Sequence, residues 1–287
     1  MVSLVLSEAN SKYGLFTQAI VPAPAVTPLP RALLLFAHPD DETIALGARL
    51  SNFTDAHIVH VTDGAPRNEE DRRHHGFATL ADYRKARAFE LCTALAAAGL
   101  SSVSRECLRV PDQEASQHLA LLTRTIARII RQQQPEVIFT HPYEGGHPDH
   151  DSCAFAVRHA LDLLPSHSVP LVIEAAFYHL GPRGREAGIF LPPSTRPVPS
   201  VELRLSPEEH RRKRELLARF RSQRDTLAGF PLDFERFRIA PEYDFLNPPH
   251  TPPVLYDQYA WGMTSPEFSR LACEAEVVLN HVPAECR

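Results

Sequence analysis

Residues 31–42 read RALLLFAHPDDE and join an uninterrupted apolar run to a charged His-Pro-Asp-Asp-Glu segment. An apolar run without alternation is typical of a strand that is buried on both faces, as in parallel sheets covered by helices. The following residues, ETIALGARLSNF, have helical periodicity. This region therefore predicts a strand, a polar loop and a helix, which is the repeating unit of an α/β fold.

The same alternation continues along the chain. Further strands are predicted at HIVHVT (57–62), ECLRV (106–110), EVIFT (136–140) and VPLVIEAAFYHL (169–180). Helices are predicted between them, over residues 78–99, 118–134 and 149–164. Strands that alternate with helices imply right-handed crossovers, so we expect a mainly parallel sheet with helices on both faces.

The two ends of the chain have a different character. Residues 1–30 end in the Pro-rich stretch VPAPAVTPLP and are predicted to be a lead-in segment outside the core, with one domain over 31–287. Residues 181–200 are rich in Pro, Gly and Arg and predict a loop. A late strand is expected at VELRL (201–205), followed by a helix that Ser206 caps. The region 230–259 has many Pro and aromatic residues and predicts irregular structure.

Composition excludes several classes of function. The net charge is −5 over 287 residues, so no basic field indicates nucleic acid or an anionic membrane surface. The five cysteines form no C-x-x-C pair, and free thiols are typical of a reducing cytosol. The N-terminus lacks a basic signal-peptide region, and no apolar stretch approaches the ~20 residues of a membrane span. We therefore expect a soluble, cytoplasmic protein whose oligomeric state is open.

Two short segments share an unusual composition, AHPDDE at 37–42 and GGHPDHD at 145–151. Each comes after a predicted apolar strand. Because ligand sites of open α/β sheets form at the carboxyl ends of the strands, the two segments are expected to converge on one crevice.

The residues of these segments suit a catalytic zinc site. His38, Asp41 and His150 supply two imidazoles and one carboxylate, and such sites use three nitrogen or oxygen ligands with one position left for water. Asp40 and His147 are spare acid–base groups beside them, as hydrolysis by a metal-activated water needs. The ligand set favours Zn²⁺, and iron or cobalt stay open alternatives.

AHPDDE followed by GGHPDH resembles the LmbE/PIG-L family of zinc-dependent N-deacetylases. Three further segments are similar to family motifs: VTDGAPRN (61–68), RAFELCTALAAAGL (87–100) and RELLARFRSQ (214–223). The resemblance implies a Rossmann-like three-layer α/β sandwich with a mainly parallel sheet. It also implies removal of an N-acetyl group from an N-acetylglucosamine-type amino sugar or conjugate, a small-molecule substrate.

The resemblance also implies roles for the site residues. His38, Asp41 and His150 would bind Zn²⁺, and Asp40 would be the general base. His147 would stabilise the tetrahedral intermediate and protonate the leaving amine. Asp149 would orient His147 and favour its imidazolium form.

Several residues are candidates for substrate contacts. Asp63 and Arg67 follow the second strand and would bind sugar hydroxyls, or else cap a turn and remain solvated. His141 and Tyr143 follow the fourth strand and would line the crevice. Trp261, with Tyr256 and Tyr259, is expected to anchor the C-terminal region to the core, and stacking on a sugar is the alternative.

Two charged residues of the predicted helix over 78–99 are expected to have a structural role. Arg87 and Glu90 are one helical turn apart and are expected to form an ion pair, either with each other or with another element.

Other functions fit the sequence less well. A two-metal phosphoesterase needs more bridging carboxylates, and a dinucleotide enzyme needs a G-x-G-x-x-G motif that is missing after RALLLFA. An amidase acting on a non-sugar or thiol-conjugate amide stays open. A sugar-binding module on the same fold is also open, but it would have no use for Asp40 as a base beside the metal.

Overall fold

The computed structural model describes residues 2–21, 29–192 and 198–281. Its strands are Ala32–Phe36 (β1), His57–Thr62 (β2), Ser104–Val110 (β3), Val137–Thr140 (β4), Leu171–Ala175 (β5), Tyr178–Gly181 (β6), Gly184–Ala187 (β7), Ser200–Arg204 (β8) and Phe234–Ile239 (β9). Its helices are Val2–Ile20 (α1), Asp41–Leu46 (α2), Glu69–His74 (α3), Leu80–Ala97 (α4), Leu119–Gln133 (α5), Pro148–Asp162 (α6), Pro207–Leu217 (α7), Arg224–Leu227 (α8) and Ser265–Asn280 (α9). None of these helices is long and apolar enough to cross a lipid bilayer.

Seven strands form one sheet in the order β3-β2-β1-β4-β5-β9-β8. The five strands from β3 to β5 are parallel, as predicted, and β9 is antiparallel to both of its neighbours. The strands run outward in one direction from β1 to β3 and in the other from β4 to β5. The order therefore reverses between β1 and β4, and the two His-Pro-Asp segments follow these two adjacent strands.

Alternate residues of β1 enter cores on opposite faces of the sheet, which explains its uninterrupted apolar sequence. Leu34 and Phe36 pack in a cluster with side chains of α2, α4 and α7. Leu33 and Leu35 pack in a second cluster with side chains of α5 and α6. The predicted α/β sandwich with helices on both faces is confirmed.

The N-terminal segment needs a correction. Residues Val2–Ile20 form a helix, and Phe16, Ala19 and Ile20 are buried in the same cluster as Leu34. These three residues have i, i+3, i+4 spacing, which is the signature of a helix face that packs on a core. The adjoining Pro-rich stretch obscured this short pattern, and its residues 22–28 lie outside the described part of the chain.

The region 230–259 is irregular as predicted apart from β9, which completes the sheet, and one short turn of 3₁₀ helix. Beyond this region, α9 packs in a third cluster with Tyr143 and Phe155. The strand reads FERFRI, and its charged residues Glu235 and Arg238 are buried. Glu235 is bound by Arg49 and by the backbone N–H of Ala48. Because ion pairs replace apolar contacts here, the sequence lacks the alternation that predicts a strand.

Two boundaries near the middle of the chain are different as well. The predicted fifth strand divides into β5 and β6, and β6 pairs with β7 in a hairpin within the predicted loop. The helix predicted after Ser206 is confirmed as α7, with Pro207 at its first turn and a capping box between Ser206 and Glu209.

Candidate active site

The predicted ligands His38, Asp41 and His150 converge at the carboxyl edge of β1 and β4. His38 Nδ1 lies 3.3 Å from His150 Nε2 and 3.3 Å from Asp41 Oδ2, and His150 Nε2 lies 3.6 Å from Asp41 Oδ1. All three side chains are buried, and together they form a group that is able to hold a metal ion. Asp41 is further fixed because its Oδ2 accepts the backbone N–H of His38 at 2.7 Å.

The other ring nitrogen of His38 faces a second set of carboxylates. Its Nε2 lies 3.2 Å from Asp112 Oδ1 and 3.3 Å from Asp149 Oδ2. Asp149 is held in turn by the backbone N–H groups of Gln113 and Ala115, at 2.6 and 3.0 Å. Carboxylates that accept the free N–H of a ligating histidine fix its tautomer and its ring orientation.

Sequence reasoning missed Asp112. It lies two residues beyond β3, at the same edge of the sheet, and this position is the signal that would have found it. Burial raises the pKa of Asp112, but the imidazole of His38 outweighs burial and lowers the pKa to about 2. Asp112 also belongs to a second metal-competent group, with His38, His147 and Asp149.

Asp40 stands between two ligands in a strained backbone conformation. Its φ is 135°, which is rare for a residue with a side chain and is concentrated at functional sites. The conformation turns the Asp40 side chain towards the cleft, where it is buried beside Asp41. Burial raises the pKa of Asp40 to about 7, although the guanidinium of Arg87 opposes the rise.

Arg87 holds this conformation from the opposite side. Its guanidinium is buried and donates to Asp40 Oδ2 at 3.1 Å, to Pro39 O at 2.7 Å and to Gly64 O at 2.9 Å. The expected ion pair with Glu90 is long, at 3.8 Å, and Glu90 instead accepts two hydrogen bonds from Ser222. Arg87 thus forms the expected ion pair within its helix and a closer one with Asp40, which it supports from a buried position.

His147 lies beside the metal-competent group, and Asp149 contacts it. The backbone N–H of Asp149 donates to His147 Nδ1 at 3.1 Å, and the Asp149 carboxylate is 3.9 Å from that nitrogen. Because Nδ1 accepts a hydrogen bond, it carries no proton. Burial then lowers the pKa of His147 to about 4. Asp149 therefore contacts both His38 and His147, and its carboxylate acts against burial to raise the pKa of His147.

Asp63 and Arg67 do not line the cleft. Asp63 is paired with Arg84 at 2.5 Å and caps its own turn through the N–H of Ala65. Arg67 points into solvent, with 63% of its side chain exposed, and lies 3.3 Å from Glu114. Asp63 thus caps its turn and Arg67 is solvated, although Pro66 between them lines the cleft.

His141 and Tyr143 are too deeply buried to contact a substrate. The ring of His141 stacks on His150 at 3.8 Å, and its Nε2 accepts the N–H of Ala37. Tyr143 packs in the α9 cluster and donates to Asn247 O at 2.9 Å. Both residues follow β4, and neither of them lines the cleft.

The cleft itself is lined by residues from distant parts of the chain. Besides the metal-competent residues, the lining comprises Ile44, Pro66, Asp71, His75, Tyr83, Arg87, Gln113, Tyr178, Gln223, Thr226, Leu227, Phe230 and Trp261. The Ser-Gln segment at the start of α8 is anchored here, since Gln223 donates to the hydroxyl of Tyr83 at 2.8 Å.

The glycines of the second His-Pro-Asp segment are required by close packing. A Cβ on Gly146 would lie 2.0 Å from the carbonyl oxygen of Tyr178. We expect Gly146→Ala to lower the free energy of unfolding by about 1–3 kcal/mol, because backbone must shift to relieve this overlap. Gly14→Ala is the control, since a Cβ there meets nothing within 4 Å. Urea denaturation checks both variants, and equal stabilities would contradict the assignment.

Comparisons with known proteins identify a matching family model and similar folds. Residues 33–161 match the model of the family described as PIG-L, GlcNAc-PI de-N-acetylase. The fold is similar to that of the A40926 pseudoaglycone deacetylase Dbv21, with a TM-score of 0.57 and 19% identity over 75% of this chain and 98% of that chain. No curated sequence matches significantly.

Two further solved structures have the same fold. A teicoplanin-pathway deacetylase matches with a TM-score of 0.56 and 19% identity, over 72% of this chain and 96% of that chain. A zinc-inhibited form of the teicoplanin deacetylase Orf2 matches with a TM-score of 0.55 and 18% identity, over 72% and 97%. Residues 33–161 therefore match the PIG-L (LmbE) family of de-N-acetylases, which are hydrolases of non-peptide carbon–nitrogen bonds, and the fold is that of solved deacetylases.

Proposed function

We propose that the protein is a zinc-dependent N-deacetylase that acts on an N-acetylglucosamine-type amino sugar or conjugate. The observation that carries the proposal is the convergence of two histidines and a carboxylate with an unliganded carboxylate, Asp40, beside them. A sugar-binding module would have no use for that fourth group. The deacetylases with the same fold support the same class of reaction.

The residues fit a zinc ion. Ligand atoms about 2.1 Å from a tetrahedral zinc lie about 3.4 Å from one another. The three separations among His38, Asp41 and His150 are 3.3, 3.3 and 3.6 Å. Zn²⁺ bound there would act as a Lewis acid on the acyl carbonyl and would acidify a water molecule.

Asp40 is assigned as the general base. Its carboxylate faces the cleft beside the ligands, and burial brings its pKa to about 7, close to the value that suits a base at neutral pH. Asp40 would accept a proton from the attacking water and later return it to the departing amine. Its hydrogen bond from Arg87 would hold the carboxylate in place during both transfers.

His147 is assigned as a hydrogen-bond donor to the oxygen that develops negative charge. With Nδ1 accepting the N–H of Asp149, the proton of the neutral ring lies on Nε2. A neutral imidazole that donates in this way stabilises an oxyanion without a proton transfer. The proton for the amine then comes from Asp40, so that His147 need not be charged.

We also propose that this activity is cytoplasmic. Cys92, Cys107, Cys153 and Cys273 are free thiols in the described part of the chain, which supports a reducing compartment.

Metal content tests the central assignment. We expect about one zinc per chain in the wild type, as a catalytic site of this kind holds, and near-complete loss in His38→Ala. The control is His57→Ala, because His57 is bound by Ser104 and Glu106 away from the cleft. Metal is measured by elemental analysis after zinc loading and desalting. Retention of zinc by His38→Ala would show that the ligand set is wrong.

Acetate release tests the reaction and its substrate. Zinc-loaded protein is incubated with three compounds in parallel. They are N-acetylglucosamine, a glycoside of N-acetylglucosamine, and a thiol conjugate that carries an N-acetyl group but no sugar. Release from the two sugars alone supports the proposal, whereas release from the thiol conjugate alone would favour the amidase alternative. Zinc binding without acetate release from any of them would favour a binding function.

A further inference from the structure

Glu42, the last residue of the first His-Pro-Asp segment, is fully buried and bonded to the backbone of Asp40. Its Oε2 accepts the N–H of Asp40 at 3.1 Å, so the side chain folds back onto the residue two positions earlier. Glu42 does not line the cleft, and it belongs to neither metal-competent group. It is therefore in contact with the assigned general base without being able to contact a substrate.

A histidine from the neighbouring strand holds Glu42 in place. His60 lies on β2, beside Phe36 of β1, and its Nε2 is 2.9 Å from Glu42 Oε2. The other carboxylate oxygen, Oε1, accepts the hydroxyl of Thr43 at 2.6 Å. His60 and Thr43 are both buried. Because a buried carboxylate is costly unless donors surround it, these contacts fix Glu42 in one position.

The histidine is unusual at its place in the sheet. Ile58 lies on the same face of β2, since alternate residues of a strand share a face, and it packs in the apolar cluster with Leu34 and Phe36. An apolar side chain would therefore suit the packing at position 60. The bond to Glu42 accounts for the imidazole there.

The contacts of Glu42 complete the support of a strained peptide. Asp40 has a φ of 135° and a ψ of −25°, and its carbonyl oxygen accepts the backbone N–H groups of Thr43 and Ile44, both at 2.9 Å. Glu42 binds the N–H of the same residue. Strained conformations persist only where the surrounding contacts enforce them, and without Glu42 the Asp40 N–H would lose its acceptor.

We propose that Glu42 and His60 are positioning residues for Asp40, which fix its backbone so that its carboxylate faces the cleft beside Asp41. The inference rests on the proposed deacetylase function and adds two residues to it. Arg87 holds the carboxylate of the base, whereas Glu42 holds its N–H, so Asp40 is fixed at two separate points. Because misplacing a reacting group by about 1 Å costs about 10²-fold in rate, the loss of Glu42 is expected to lower kcat.

Two substitutions separate the hydrogen bonds of Glu42 from its volume. Glu42→Leu fills similar space but leaves the Asp40 N–H and His60 without an acceptor, whereas Glu42→Gln keeps an acceptor oxygen for both. With zinc-loaded protein and methyl N-acetyl-β-D-glucosaminide, we expect kcat to fall about 10²-fold in Glu42→Leu and to stay within a few-fold of the wild type in Glu42→Gln, with little change in KM. If Glu42→Leu does not fold, His60→Leu and His60→Gln provide the same comparison.

Glu106→Leu is the matched control. Glu106 also pairs with a histidine of β2, because its Oε1 lies 3.0 Å from His57 Nε2, but it does not line the cleft. We expect kcat of this variant to stay within a few-fold of the wild type. Equal losses in Glu106→Leu and Glu42→Leu would overturn the proposal, since any pair of this kind would then have the same effect.

A double substitution distinguishes positioning from a general disturbance of the site. If Glu42 acts through the base, Glu42→Leu should lower the residual kcat of Asp40→Asn by less than about threefold, because the carboxylate that it positions is already lost. A general disturbance would lower kcat by the same factor in both backgrounds, which would contradict the assignment.

Crystal structures of the wild type and the two Glu42 variants test the positioning without an activity assay. We expect φ of Asp40 to become negative in Glu42→Leu, with the carboxylate turned out of the cleft, and to keep its positive value in Glu42→Gln. A wild type that releases no acetate would remove the proposed deacetylase function, and these structures would still decide the role of Glu42. An active wild type with Asp40 unmoved in Glu42→Leu would overturn the positioning role alone.

Discussion

Asp40→Asn is expected to lower kcat by about 10²–10⁴-fold, the range typical of losing a general base, while about one zinc per chain is retained. Asparagine has nearly the same shape as aspartate and also tolerates a positive φ, so the strained backbone at φ 135° is preserved. What the substitution removes is the ability to accept a proton. Steady-state kinetics on zinc-loaded protein, with zinc content measured on the same sample, checks this expectation.

Asp63→Asn is the matched control for that experiment. Asp63 also follows a parallel strand at the same edge of the sheet, but its carboxylate is bound by Arg84 and does not line the cleft. We expect its kcat to stay within a few-fold of the wild type. Near-normal activity in Asp40→Asn would mean that another group accepts the proton. Loss of zinc together with activity would mean that Asp40 is a ligand instead.

Arg87→Met is expected to lower the free energy of unfolding by about 3–5 kcal/mol, as is usual when one partner of a buried ion pair is removed. Methionine fills much of the same volume but donates no hydrogen bond. The variant would leave the Asp40 carboxylate and the carbonyl oxygens of Pro39 and Gly64 buried without this donor. The two loops after β1 and β2 would also lose the group that joins them.

Arg73→Met provides the comparison, since Arg73 forms an exposed pair with Glu69 at 2.8 Å. Exposed ion pairs contribute about 0–1 kcal/mol to stability, so the free energy of unfolding of this variant should be close to that of the wild type. Urea denaturation measures both, at the same free zinc concentration because bound metal itself stabilises the folded protein. If the free energies of unfolding of the two variants differ by less than about 1 kcal/mol, Arg87 does not support Asp40 in the way that its contacts indicate.

The sequence predicted those parts of the molecule in which a chemical motif directly follows a clear hydrophobic pattern. The apolar run before His38 predicted β1, and HIVHVT predicted β2 with its observed boundaries. The convergence of His38, Asp41 and His150 could be predicted because two similar segments follow adjacent parallel strands, which brings these side chains to one edge.

The remaining features depend on tertiary contacts that the local sequence does not encode. Glu235 and Arg238 are buried within β9 because partners more than sixty residues away neutralise them. His141 follows β4 as expected, but its depth beneath His150 is set by the packing of the rings. Trp261 is brought to the cleft by a segment that is distant from every motif in sequence.

The topology of the sheet has a consequence for the order in which the chain acquires its structure. β8 joins the sheet only through β9, which lies between it and β5 and comes about thirty residues later in the sequence. During synthesis the strand at Ser200–Arg204 therefore has no place in the sheet until Phe234–Ile239 has emerged from the ribosome. The parallel strands from β3 to β5 are able to pair earlier. We therefore expect the sheet to assemble in two stages, with the antiparallel pair of β8 and β9 added as a unit.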